Sequence, residues 1–159
     1  MAGGTLPARR GSHPDVSWSI PQQQLSDNSP VELQEQLLAH NGSLDGVAVG
    51  PSHISVPGAR ALTLDDSSDG VDGFLVPSVG EFAHLHPPQD GSLHLVLPPD
   101  QAADLVAKGY GRMHPWAGTR LAVGFVMVYG PRDAEELDVV RRIVEASYNF
   151  ARGGISSAT

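Results

Sequence analysis

Between Glu81 and Pro99 the chain reads EFAHLHPPQDGSLHLVLPP, and few folds can accommodate that run. Successive side chains on a strand point to opposite faces, so His84 and His86, two residues apart, look the same way. Pro87-Pro88-Gln89-Asp90-Gly91 is turn chemistry, because the prolines preset φ and Asp-Gly supplies the reversal. Residues 82–86 and 92–97 are therefore expected to pair as an antiparallel hairpin. Symmetric pairing about Gln89 sets His86 opposite Ser92, His84 opposite His94 and Phe82 opposite Val96. One face then carries Phe82, His84, His86, Ser92, His94 and Val96. The other carries Ala83, Leu85, Leu93, Leu95 and Leu97, an unbroken apolar set that must be the buried side. A slip of one residue would bury the histidines and expose the leucines, so the pattern itself selects the register. Directly opposed residues have Cβ atoms about 4.5–5.5 Å apart, close enough for two imidazolium charges to repel. At least one ring is therefore expected to stay neutral at pH 7, free to accept a proton or ligate a metal.

The remaining sequence must supply the support for such a hairpin. A chain of 159 residues is one domain with material for a real core. Its formal charge of −8, with Lys108 as the single lysine beside nine arginines, provides no basic stripe for nucleic acid. The absence of cysteine removes disulfides, thiolate catalysis and thiolate metal ligation. Leu121 to Tyr129 is the longest apolar run, too short to cross a bilayer, and no hydrophobic stretch follows Arg9 and Arg10 as in a secretory signal. A cytoplasmic protein without membrane contact is the expectation, with the oligomeric state left open.

Residues 1–28, rich in Gly, Pro, Ser and Gln without an apolar period, read as a flexible tail on which Trp18 and Ile20 alone offer docking points. The domain is expected over 29–152, followed by a frayed C-terminus over 153–159. Ser29-Pro30-Val31-Glu32 resembles a capped helix start, with Val31, Leu37 and Leu38 as its apolar stripe and Asn41-Gly42 as its end. Two short strands follow up to Leu64, turned by Pro57-Gly58. Asp65 to Gly73 reads as a solvated acidic loop. A calcium loop through Asp65, Asp66, Asp69 and Asp72 is the alternative, but the twelve-residue spacing and closing glutamate of an EF-hand are missing. Phe74 to Pro77 is expected as a strand before the hairpin. Pro99-Asp100 opens a helix closed by Gly109, and Tyr110 to Gly118 is a broken loop carrying Tyr110, His114 and Trp116, placed to wall a pocket. Phe125 to Tyr129 is a strand, and Ala134 to Phe150 the strongest helix, with Leu137, Val140, Ile143, Val144 and Tyr148 at helical spacing. The order implies α+β: a mixed or mainly antiparallel sheet with helices on one face.

Three chemistries fit His84, His86 and His94, with His114 as a fourth member. The first is a transition-metal site with three nitrogen ligands and an open position, as in cupins, although the cupin glutamate is missing and strict alternation turns Glu81 away. The second is acid/base work by imidazoles of unequal pKa. The third is a set of structural histidines, each satisfied by hydrogen bonds.

Glu81-Phe82-Ala83-His84-Leu85-His86, then Ser92-Leu93-His94-Leu95, Lys108-Gly109-Tyr110-Gly111, His114-Pro115-Trp116-Ala117-Gly118, Val128-Tyr129-Gly130-Pro131-Arg132 and Ile143-Val144-Glu145-Ala146-Ser147 together resemble the fungal luciferase family over about residues 45 to 150. The resemblance implies an oxygenase that oxidises an enolisable aromatic or pyrone-like molecule, for the family 3-hydroxyhispidin, with molecular oxygen and without a flavin or metal. A short, bacterial-type member without a membrane anchor is the form expected. In such an enzyme a neutral histidine of the cluster removes the enol proton, and the other histidines with Arg132 hold the oxyanion. Tyr110, Trp116 and Tyr129 line a flat aromatic pocket. A metal-dependent enzyme using His84, His86 and His94, and a non-catalytic module binding a small ligand or a protein, are the competing readings.

Overall fold

The computed structural model describes residues 6–17, 19–65 and 71–153. Among them the chain runs α1 (Val31–Gly42), β1 (Val47–Pro51), β2 (Arg60–Leu64), β3 (Glu81–Leu85), β4 (Leu93–Val96), α2 (Pro99–Ala107), β5 (Gly111–Met113), β6 (Phe125–Val128) and α3 (Ala134–Ala151). The strands form one sheet in the order β1-β2-β3-β4-β6-β5. Every pairing is antiparallel, so the α+β expectation holds with a sheet that is wholly antiparallel.

All three helices close over one face of this sheet. Leu37 from α1, Ala102 and Leu105 from α2, and Leu137, Val140, Ile143 and Val144 from α3 share one core with Leu62, Leu85, Leu93, Leu95, Val126 and Val128. Each leucine fully buried there contributes about 1.5–3 kcal/mol relative to exposure. Helix α3 starts where Asp133 accepts a hydrogen bond from the Glu136 N–H at 2.9 Å, with Glu135 and Glu136 in its first turn at the positive end of the dipole. Among the described residues no helix is long and apolar enough to cross a membrane.

Several local expectations are corrected. Ser29 does not cap α1: Pro30 holds the cap position without a side-chain bond, and the Ser29 hydroxyl instead donates to the Pro131 carbonyl. Phe74 to Pro77 is not a strand, since Val76 makes only an isolated bridge to Glu81. Pro77, lacking a donor, opens a 3-10 turn that ends at Gly80 with φ +74°. The loop after α2 is partly regular, because Gly111–Met113 adds to β6 as an edge strand. A Cβ at Gly111 would overlap the Met127 carbonyl, so only glycine permits that approach.

The largest difference concerns the stretch expected as a flexible tail: Leu6 packs into the helix-side core beside α2, whereas Val16 and Gln22 lie over the opposite, histidine-bearing face of the sheet. Leu6 is buried and its N–H donates to Asp104 Oδ2 at 3.0 Å, while the Arg9 N–H donates to the Lys108 carbonyl at 2.8 Å. Val16 packs on Met127 and Tyr129 and bridges to Gln24. Isolated anchors hold the segment, which is why it shows no hydrophobic period. Ile20 is 44% exposed. Trp18, Asp66, Asp69 and residues 154–159 lie outside the described residues, and with them the docking of Trp18, half of the calcium alternative and the frayed C-terminus.

Candidate active site

The hairpin forms in the expected register: His84 pairs with His94, Ala83 with Leu95 and Leu85 with Leu93. The His86 N–H donates to the Ser92 carbonyl at 2.8 Å, which carries the ladder one residue past β3. Neighbouring strands complete the floor. Ala61 of β2 stands beside His84 and Met127 of β6 beside His94, the first small enough to leave the imidazole room.

One feature breaks the alternation. Leu62 pairs with Ala83 but Thr63 with Glu81, which makes Phe82 an extra residue on β3. Phe82 thereby joins the helix-side core, its ring 5.9 Å from that of Tyr148, and not the histidine face. Glu81 turns to the histidine face instead, fully buried, with its carboxylate 2.9 Å from His84 Nδ1.

The rings form a connected group. His84 Nε2 lies 3.2 Å and His86 Nε2 3.1 Å from His94 Nδ1. His86 Nδ1 is 2.8 Å from Ser92 Oγ and 3.2 Å from Asp90 Oδ2, and the Ser92 hydroxyl donates to Asp90 Oδ1. His94 Nε2 meets Gln22 Oε1 at 2.9 Å. His114 stands at the side, its ring centroid 5.3 Å from that of His94, and its Nδ1 accepts the Trp116 N–H at 3.0 Å. In its neutral form His114 therefore keeps its proton on Nε2.

Burial dominates the electrostatics. It pushes the His94 imidazole well below its ordinary value, helped by the fields of His86, His84 and His114. Burial also lowers His84, against the opposing hydrogen bond to Glu81, and lowers His114 with help from His84. For Glu81 burial alone would raise the pKa, but bonds from His84, the His53 N–H and Ser52 hold it below the usual carboxylate range. Asp90 is likewise raised by burial yet held down overall by His86 and Ser92. Burial thus disfavours the charged form of His84 and His94, while the two carboxylates behind the cluster are held towards their ionised form.

Above it opens a cavity of about 300 Å³ lined by His84, His86, His94 and His114, by Ile54, Val56, Leu121 and Phe125, by Trp116, and by Ile20, Pro21 and Gln22 of the N-terminal segment. Such a volume sits at the lower end of small-ligand sites. The structure thus brings together the four predicted histidines and Trp116, but not the other three predicted residues. Tyr110 is buried in the helix-side core. Tyr129 shares the histidine face but lies under the N-terminal segment, 3.0 Å from His13 Nδ1 and stacked by the Arg9 guanidinium at 5.1 Å. Arg132 donates from Nε to Glu136 Oε1 at 3.0 Å at the start of α3. A ring or guanidinium in a loop carries no sign of which face it will meet. Conversely, Gln22 and Asp90 escape the sequence reading, the first hidden in an unpatterned segment and the second read only as a turn residue. Asp90 lies four residues after His86 across a tight turn, a spacing that could have flagged it.

Residues 79–147 match the family model described as the luciferase domain. A luciferase of Armillaria ostoyae is 41% identical over 73 residues, which cover 44% of this chain and 27% of that protein. The luciferase of Armillaria mellea is 40% identical over the same length and share. The luciferase of Neonothopanus nambi is 30% identical over an alignment of 166 positions, covering 91% of this chain and 60% of that protein. The chain thus spans less than two thirds of the length of these curated relatives, from 27% to 60%. No solved structure matches it significantly.

Proposed function

We propose that this chain, which carries a luciferase domain, is an enzyme that oxidises a small, flat, enolisable aromatic or pyrone-like molecule with molecular oxygen. The observation that supports the reading most is the convergence of His84 Nε2, His86 Nε2 and His94 Nδ1 on the floor of an otherwise largely apolar cavity. Oxygen reacts readily with an enolate and poorly with the neutral enol, so the site has three tasks: take the proton, hold the anion and keep water out.

The buried inner nitrogens are the acceptors within reach of an enol hydroxyl above them. The His114 Nε2–H has no partner among the described residues and is available to donate to the developing oxyanion. Trp116, with the Arg120 guanidinium over its ring at 5.0 Å, adds an aromatic side chain to the cavity wall. In the oxidation the enolate passes one electron to oxygen, and the resulting superoxide and carbon radical join in a C–O bond. The peroxide anion so formed takes back the proton released at the start, so substrate plus oxygen gives a hydroperoxide with no other reductant. Light emission belongs to the named relatives and is not part of this reading.

Oxygen uptake by the full chain, measured with a panel of hydroxypyrones and catechols, tests it. Uptake should occur with at least one compound and fall about 10²–10⁴-fold in His94→Ala. Tight ligand binding without uptake by the wild type, unchanged in that variant, would instead mark a non-catalytic binding module.

A further inference from the structure

The geometry points to a divalent transition-metal site formed by His84 Nε2, His86 Nε2 and His94 Nδ1, which deepens the proposed function by naming what faces the substrate oxygen. Each ring has its outer nitrogen engaged by an acceptor. Glu81 Oε2 accepts the proton of His84 Nδ1. Ser92 Oγ, itself a donor to Asp90, accepts that of His86 Nδ1. Gln22 Oε1 accepts that of His94 Nε2, and the Gln22 amide is held in that sense because its Nε2 faces the Met113 carbonyl at 3.4 Å. With one proton on each ring, at the outer nitrogen, the three inner nitrogens are bare. Yet they stand 3.1 and 3.2 Å apart across His94 Nδ1, two contacts between lone pairs that repel. One proton on Nδ1 points along only one of those contacts, since hydrogen bonds weaken steeply away from linearity.

A cation relieves both at once. Two nitrogens about 2.0–2.1 Å from one ion at the tetrahedral angle lie roughly 3.3 Å from each other, close to the separations here. The ligand atoms of all three residues fall within 4.8 Å of one another, and all three residues are buried. Each ring is oriented from behind by a hydrogen-bond acceptor, the way metal-bound histidines are fixed through their other nitrogen. Those supports are themselves held: Glu81 accepts from Ser52 Oγ and the His53 N–H at 2.8 Å, and Asp90 from the Ser92 N–H at 2.9 Å. Three imidazoles without a carboxylate ligand suit zinc, iron, cobalt, nickel or copper and not magnesium or calcium. His114 is not a ligand, since its Nδ1 is already engaged. The fourth position would then open into the cavity, where a bound enol oxygen would release its proton to water as it enters; with the ion held, this replaces transfer to the inner nitrogens, whose lone pairs the ion takes.

The full chain, stripped with a chelator and dialysed, is titrated with cobalt(II) and followed by visible absorption and by metal analysis. One equivalent should bind with the intense bands of a four-coordinate site. Glu81→Gln should weaken binding about 10–100-fold with an unchanged far-ultraviolet spectrum, His94→Gln should lose the bands, and His114→Gln should keep one equivalent. A spectrum that stays that of aqueous cobalt through the wild-type titration, or one equivalent bound unchanged in His94→Gln, would overturn the site. Oxygen uptake on the same samples separates the two readings. Uptake by protein that binds no metal retains the oxidase and removes the ion, whereas a bound ion without uptake on any pyrone or catechol does the reverse.

Discussion

His94 is the ring least able to carry charge, because burial and three neighbouring imidazoles all oppose its protonation. The folded protein therefore takes up a proton at His94 only well below the point at which the unfolded chain does, near pH 6.5. Where the unfolded state binds more protons, stability rises with pH. Metal-free protein should thus lose stability as pH falls from about 6.5 towards the lower folded value, and His84 and His114, also depressed, add in the same direction. Glu81 and Asp90 act lower still: their stabilisation is present above the unfolded carboxylate value near 4 and lost as pH falls through their depressed folded values. Urea midpoints measured between pH 8 and 5 should fall on acidification, and His94→Asn should flatten the slope.

At the scale of elements, the N-terminal segment and the hairpin test separately. Removing residues 1–28 uncovers Met127 and Tyr129 and deletes the Gln22 partner of His94, while the helix-side core retains nearly all its members. The truncated chain should keep its far-ultraviolet spectrum but bind a hydrophobic dye that the full chain excludes. Gly124→Ala, by contrast, sets a Cβ against the Leu97 carbonyl beside the end of β4, and should cost cooperative unfolding as read by circular dichroism. The hairpin is legible from sequence because its leucines alternate strictly and each contact lies within a dozen residues. What alternation cannot reveal is a bulge: the extra residue at Phe82 exchanges the faces of Phe82 and Glu81, and so hides the carboxylate behind His84. Nor can local pattern reveal contacts such as Leu6 with Asp104, 98 residues apart, through which the segment docks and the site gains Gln22. Tyr110 and Tyr129 differ in surroundings only through such long-range packing.

Across the whole molecule the sheet divides the work. One face is buried under helices, and the other holds the imidazoles under a thin cover of loops and the N-terminal segment. Ile143→Ala, on the helix side and fully buried, should cost about 2–5 kcal/mol in urea unfolding and leave KM for an active pyrone unchanged. Trp116→Ala, at a position 36% exposed, should shift stability by no more than about 0.5 kcal/mol while raising KM. The packing of residues 6–28 also bears on how the molecule is made. During synthesis this stretch leaves the ribosome before Lys108 and Tyr129, its eventual neighbours, exist. It cannot dock until they emerge, so the histidine-floored cavity is walled in last by a stretch made before its floor.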